Sequence, residues 1–310
     1  MIDFFVPATS AVNRKMHLCL QGLKQTVRVV SQSVIVGLCM LPAACSTTGS
    51  SESAKIEVVE TQLLSQDLVE TSGLFCENMQ TYTINDSGNS PTLFTLDASG
   101  TVIDSQQVAK KNSDWEAVTA DSEYFYIGDF GNNGGKRTNL SIVKVSRTNP
   151  EQYERLSISY EGYDVRKNEY YAHDYDAEAM VAHGSHLILF SKSWLTRKLK
   201  IYFVDKSAKE QVLSAKFEVS GIPGVITGAD WDSYNKRFIV VGYSSNALGI
   251  FKPFIATLSE QFELLETYKL DGFAQVEGLC VMGDNDIWLT QENSPFSAAK
   301  LFKIKLPSGL

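Results

Sequence analysis

Apolar and polar positions alternate in short runs along most of this chain, and beyond residue 54 no long stretch keeps apolar residues at helical spacing. The recurring unit is instead a run of β-branched and aromatic residues bounded by Gly, Asn, Asp or Ser, the pattern of a strand. Five such runs stand out: Tyr82-Thr83-Ile84, Tyr124-Phe125-Tyr126-Ile127, Leu187-Ile188-Leu189-Phe190, Phe238-Ile239-Val240-Val241 and Ile287-Trp288-Leu289. Each follows a segment that opens on an acidic or hydroxyl residue, a small residue and an apolar one. These openings are Ser72-Gly73-Leu74, Glu116-Ala117-Val118, Glu178-Ala179-Met180, Thr227-Gly228-Ala229 and Glu277-Gly278-Leu279, at spacings of 44, 62, 49 and 50 residues. A third run comes next in every repeat, as in Leu93-Phe94-Thr95-Leu96 or Leu199-Lys200-Ile201-Tyr202-Phe203. A fourth closes four of them, for example Gln211 to Val219 and Phe262 to Leu270.

Periods of about 40 to 50 residues, each built from four short strands, predict a β-propeller. The fifth repeat has three strands before the chain ends at Leu310, which would leave an open edge on a closed ring. The strand-like segment from Lys55 to Leu64 supplies the missing outer strand, so both termini clasp one blade. The expected fold is all-β, with five four-stranded blades over residues 55–310. A sixth blade is the alternative, hidden in the 62-residue spacing. Its surplus of about 13 residues is too short for four strands of about five or six each. A β-sandwich gives no reason for the same triplet to restart in every repeat. The small residues at Gly73, Ala117, Ala179, Gly228 and Gly278 suit inner strands converging on a crowded axis.

The N-terminus reads as an address. Arg14, Lys15, Lys24 and Arg28 precede an uncharged apolar run from Val34 to Ala44, the length of a signal-peptide core and well short of the roughly 20 residues that span a bilayer. The run ends in Leu41-Pro42-Ala43-Ala44-Cys45 and passes into a Ser/Thr/Gly stretch. This resembles a bacterial lipoprotein signal, except that Pro42 takes the position where leucine is preferred. The resemblance implies a signal peptide at 1–44, lipidation of Cys45 and a flexible tether over 45–54, with translation starting at Met1 or Met16. Ser46 after the cysteine resembles the pattern sent to the outer membrane, with the domain in the periplasm. Ordinary signal cleavage near Cys45 is the alternative.

The chain carries 28 basic and 36 acidic residues, a formal charge of −8. With the basic leader set aside the remainder carries −11. Such a surface repels phosphate backbones, which argues against nucleic acid as a partner. Strands of a blade alternate in direction, so the starts of the inner strands, the loops between second and third strands and the blade-to-blade connections share one face, called here the top. On it Glu116, Glu178 and Glu277 converge, with Ser72 and Thr227 completing their ring. Three carboxylates at one mouth repel one another unless a cation or shared protons relieve them. Calcium is the economical occupant, with these three glutamates as its ligands; bonds to neighbouring backbone amides are the alternative. The top loops and the connection before the third blade add Asp86, Asn89, Asp129, Asn132, Asn133, Arg137, Tyr171, His173, Asp174, Trp194 and Glu292 as candidate ligand-binding residues. The Asn, Asp and Gly among them equally suit tight turns. Trp194 and the tyrosines could form a platform for a sugar. His183-Gly184-Ser185-His186 falls on a turn of the opposite face, and the chain has neither a Gly-x-Ser-x-Gly elbow nor a phosphate-binding loop.

Ser72-Gly73-Leu74, Asn85-Asp86-Ser87-Gly88-Asn89, Asp114-Trp115-Glu116-Ala117 and Ile127-Gly128-Asp129-Phe130-Gly131-Asn132-Asn133 together resemble a group of bacterial propeller proteins, many of them secreted or lipid-anchored. The likeness runs from Ser72 to Arg137. More distantly the chain is similar to the gluconolactonase-like and phytase-like propellers, a resemblance that implies metal-binding acids where inner strands meet the channel, matched by Glu116, Glu178 and Glu277. It transfers architecture and leaves activity open. The expectation is a monomeric envelope lipoprotein that binds a small molecule, a glycan or a protein on its top face. The alternative is a metal-dependent hydrolase of a phosphoester, lactone or glycan, with Asp129, Asp174 or His173 as base. Cys76 and Cys280 fall in the inner strands of blades that become neighbours when the ring closes. Buried free thiols are the favoured reading and a disulfide the alternative.

Overall fold

In the computed structural model the described residues are 55–245, 251–294 and 297–307. The expected signal peptide, Cys45 and the tether lie outside them. All described residues belong to one compact unit, Glu52–Leu310. Among them no helix is long and apolar enough to cross a membrane.

The chain opens with β1 (Glu57–Leu63) and a single 3-10 turn at Gln66–Leu68. Blade 1 is β2 (Thr71–Glu77), β3 (Gln80–Asn85), β4 (Thr92–Leu96) and β5 (Val102–Gln107). Blade 2 is β6 (Trp115–Ala120), β7 (Tyr124–Asp129), β8 (Ser141–Ser146) and β9 (Tyr153–Tyr160). Blade 3 is β10 (Ala177–His183), β11 (His186–Ser191) and β12 (Leu199–Asp205), followed in sequence by β13 (Glu210–Leu213) and β14 (Phe217–Val219). Blade 4 is β15 (Val225–Asp232), β16 (Arg237–Ser245), β17 (Phe251–Ser259) and β18 (Leu264–Lys269). Blade 5 is β19 (Val276–Gly283), β20 (Asp286–Gln291) and β21 (Lys300–Lys305), completed by β1, which pairs antiparallel with β21. The five-bladed ring closed by an N-terminal strand is therefore the structure adopted.

One expected strand divides. The segment from Gln211 to Val219 splits so that β14 closes blade 3 against β12, while β13 crosses to pair parallel with β9 and gives blade 2 a fifth strand. The second strands are apolar on both faces because each blade is packed between two others: β7, β11 and β20 are buried along nearly their whole length. The core is accordingly a set of apolar layers at the blade interfaces, such as Phe190, Ile201, Phe238 and Phe254 between blades 3 and 4 and Ile239, Ile255, Leu279 and Leu289 between blades 4 and 5.

The repeated triplet proves to be a β-bulge. In all five inner strands the register slips by one residue at this point, leaving Gly73, Glu116, Glu178, Thr227 and Glu277 without an opposite residue. A bulge re-aims its side chain and sharpens the local twist. It therefore turns Glu116, Glu178 and Glu277 toward the channel mouth; in blade 1 the bulged residue is Gly73, beside Ser72. The small residue answers to crowding: a Cβ on Gly73 would sit 2.7 Å from Val118 N, and one on Gly278 3.0 Å from Leu74 Cβ. Two hydroxyls of the ring tie neighbouring blades together, Thr227 Oγ1 donating to Val276 O (2.6 Å) and Ser72 Oγ to Glu116 O (3.3 Å).

The cysteines correct the free-thiol expectation. Cys76 and Cys280 form a disulfide between β2 and β19, with a Cα–Cα distance of 5.6 Å. Their opposite parity along their own strands turns them toward each other across the interface where the ring closes.

Candidate functional site: an acidic pocket over the axis

A cavity of about 400 Å3 opens at the top of the axis. The inner-strand bulges contribute Glu116, Glu178 and Glu277, joined by Ser72. A second set comes from the position just after each second strand. Aligned by register, that position holds Asp86, Phe130, Lys192 and Glu292 in blades 1, 2, 3 and 5, and Tyr243, still within β16, in blade 4. In three blades its N–H is anchored to the chain entering the inner strand: Asp86 to Glu70 O (2.9 Å), Lys192 to Asp176 O (2.8 Å) and Glu292 to Gln275 O (3.3 Å). Asp86, Lys192 and Glu292 all line the cavity. Tyr171, Trp194, Tyr243 and Phe251 make its aromatic wall.

The cation that the sequence reading sought for the glutamates is supplied, for part of the ring, by the chain itself. Lys192 is 4% exposed and its ammonium pairs with Glu178, which is 3% exposed. The same Nζ lies 5.0 Å from the ring centre of Trp194 and 5.6 Å from that of Tyr243. Burial alone would pull a lysine pKa down, yet Glu178, Tyr243 and Glu277 around Lys192 hold it well above its ordinary value. Glu178 is pushed well up by burial and by Glu277, against the pull of Lys192. Its Oε2 is buried and meets no donor among the described residues. Burial also raises Glu277, with Lys192 and the Gln275 amide opposing it.

The other corner is built differently. Asp86, Asp114 and Glu116 each place a carboxylate oxygen within 4.8 Å of the others. Burial, then Glu178, Asp86 and Asp114, drive Glu116 well above its ordinary range. Burial and Asp86 lift Asp114 to about 6, although the Arg137 guanidinium lies 3.5 Å away. Gly131 makes the packing possible, since a Cβ there would fall 2.0 Å from Glu116 Oε1. At the rim, burial together with Glu277, Asp86 and Glu70 pushes Glu292 up to about 8. Hard oxygen donors this close suit a hard cation. Of the three glutamates expected as its ligands, Glu116 stands in this group, while Glu178 and Glu277 face Lys192.

The remaining expected residues fall into two groups. Asp86, Glu292, Trp194, Tyr171 and Asn133 line the pocket. Tyr171 is held at φ +53° with its N–H on Asn133 O (3.1 Å), and its ring lies 4.4 Å from Trp194 and 4.0 Å from Tyr170. The others brace the loops. Asp129, 1% exposed, accepts from Arg137 (2.7 Å) and Arg155 (2.8 Å) on separate oxygens. Asn132 bonds Tyr175 O (2.8 Å) and receives the N–H of Arg137 (2.9 Å). Asn89 donates to Glu70 and to Asp86 O within its turn. Asp174 is buried, yet Thr196, Leu195 and Lys200 hold its carboxyl below the usual range. His173 accepts from Tyr175 N at Nδ1 (3.1 Å), so Nε2 carries the proton and donates to Asn133 O (3.1 Å). Both ring nitrogens are thus engaged, as are both Asp129 oxygens, which leaves neither group free to serve as a base.

Lys192, Asp114, Tyr243 and Phe251 escaped the sequence reading as site residues, as did Asp176, which receives Asn132 N (2.7 Å) and Trp194 Nε1 (2.9 Å). Lys192 had a signal: it occupies the repeat position that holds Asp86 and Glu292 in other blades.

No protein-family model matches the chain, and no curated protein matches it in sequence. Among solved structures it is similar to a luciferin-regenerating enzyme, 13% identical over 81% of this chain and 95% of that one, with a TM-score of 0.49. It is also similar to a streptogramin B lyase (10% identical, 82% and 88% covered, TM-score 0.41) and to a virginiamycin B lyase from Staphylococcus aureus (14%, 77% and 67%, TM-score 0.41). The likeness is to distant propeller-like proteins, and the functional reading rests on the pocket's own geometry.

Proposed function

We propose that this protein is an envelope-anchored binding propeller that holds a small ligand in the acidic pocket over its axis. One observation carries the reading: five lining carboxylates surround a single ammonium, in a space of ligand size, with one buried oxygen lacking a donor. The lipoprotein-like leader supports an anchor at Cys45, a tether over 45–54 and a monomeric domain on the periplasmic side. A calcium ion would be held by Asp86, Asp114 and Glu116, where it would neutralise the corner that Lys192 does not reach.

A second reading, hydrolysis of a phosphoester, lactone or glycan, draws support from Asp114 and Glu292, whose raised values place them where a carboxyl can act as a general acid. Binding is preferred because His173 and Asp129, two of the expected bases, are bonded into the loops. The test is calcium titration by calorimetry, with thermal unfolding in calcium and in chelator, on the purified protein and its Asp86→Asn and Glu116→Gln variants. One equivalent bound, a raised Tm and loss of both in the variants is the expected result. No heat and no shift would remove the ion from the proposal.

A further inference from the structure

Resting on the pocket being a ligand site, we infer that its ligand is an organic polycation, a small aliphatic diamine or polyamine. Lys192 displays the binding mode within the protein: an ammonium paired with a buried carboxylate, its neighbours the faces of Trp194 and Tyr243. Cation and aromatic face attract, and more strongly in a desolvated site. The same cavity offers further acceptors, Glu277 near Glu178 and Glu292 near Asp86. Tyr171, Trp194 and Phe251 line the same cavity and suit the methylene stem of an amine.

Other ligand classes fit less well. A bare metal ion makes no use of the aromatic wall, and the Asp86, Asp114 and Glu116 corner would occupy little of about 400 Å3. An anion meets five carboxylates against one lysine. A neutral sugar would find an aromatic surface in Tyr171 and Trp194, yet would leave the excess charge unmatched. Among the described residues the buried Oε2 of Glu178, on a side chain 3% exposed, lacks the donor that a second ammonium would bring.

The experiment is calorimetric titration of the purified protein at low salt with putrescine and spermidine, with glucose and succinate as controls and calcium in a parallel series. Expected are saturable heat with the amines, none with the controls, affinity that weakens as salt is added, and, above about pH 8 where Glu292 ionises, at least a tenfold loss in Glu292→Gln. Lys192→Ala gives a second readout that needs no ligand of known identity. It vacates the ammonium position, so ethylamine should raise the Tm of this variant more than that of the unaltered protein, while equal sodium chloride should not. Should Lys192→Ala fail to fold, the Glu292→Gln titration decides alone. Calcium heat without amine heat would overturn this inference and leave the pocket a metal site. Silence with both cations would take the proposed function down with it.

Discussion

Two groups of buried acids lie within one ring and are treated in opposite ways. On the shoulder of blades 2 and 3, Asp129 receives two guanidinium groups, Asp176 the N–H groups of Asn132, Ala177 and Trp194, and Asp174 three donors and an ammonium. Over the axis, among the described residues, five carboxylates share one ammonium and Glu178 keeps an oxygen without a donor. Burial is common to both, so burial does not distinguish architecture from a site. Donor supply does: a fully bonded carboxylate fixes a loop, whereas an undersupplied one is held in place by the rest of the fold and is open to something from outside.

The comparison breaks most directly at Asp129. Replacing it with Asn removes the charge facing Arg137 and Arg155, and breaking a buried pair of this kind costs roughly 3–5 kcal/mol. Urea unfolding should show that loss. A change near zero would mean that donor supply does not mark structural acids. The disulfide separates the two roles further. It ties β2 to β19 where the ring closes and spans 204 residues of sequence. The Cys76→Ser and Cys280→Ser double variant should lose roughly 2–5 kcal/mol. Cation affinity should stay within twofold of the unaltered protein, because neither cysteine lines the pocket; a parallel fall in affinity would show that the site depends on the clasp.

Glu116→Gln should act in the other direction. An amide takes the place of a carboxyl that burial, Glu178, Asp86 and Asp114 all push toward its neutral form. Stability should therefore hold or rise by up to about 1 kcal/mol, while calcium affinity falls. A loss comparable to that at Asp129 would place Glu116 among the structural acids.

The ring was legible in the sequence because each blade repeats the order of opening triplet and strands, and because Lys55 to Leu64 reads as a strand with no partner of its own. The split of β13 from β14 was not, since a parallel exchange between blades leaves no periodic trace in a short strand. At the site, Glu116, Glu178 and Glu277 could be placed together from their shared repeat position. What the residues near Glu178 do with their charge could not be read from the same pattern: Lys192 sits in a loop whose Ser-Lys-Ser-Trp sequence also suits a surface turn. Its charge is held by Tyr243 and Glu277 from other blades. Similarly, Asp129 and Arg137 look like ligand residues in a Gly/Asn-rich loop until Arg155, from the outer strand, is seen to close the network.

The smallest effect is also the one that tests the pocket's electrostatics without removing a contact. Glu292 is half-buried, faces Glu277, Asp86 and Glu70 with Lys192 opposing them, and has its value raised from 4.5 to about 8. Between these values the folded protein holds a proton that the unfolded chain releases. The contribution of Glu292 is therefore fully present below about 4.5 and is lost as pH rises through about 8. One full proton would tilt stability by about 1.4 kcal/mol per pH unit, and solvent at the half-buried carboxyl reduces this to a fraction. Over the upper part of this window, where Asp114 at about 6 has largely ionised, the Tm should decline gently with rising pH, and Glu292→Gln should flatten that slope. Cation affinity should move the opposite way, rising as Glu292 ionises. A Tm and an affinity that rise and fall together would mean that the rim carboxyl neither repels its neighbours nor receives the ligand.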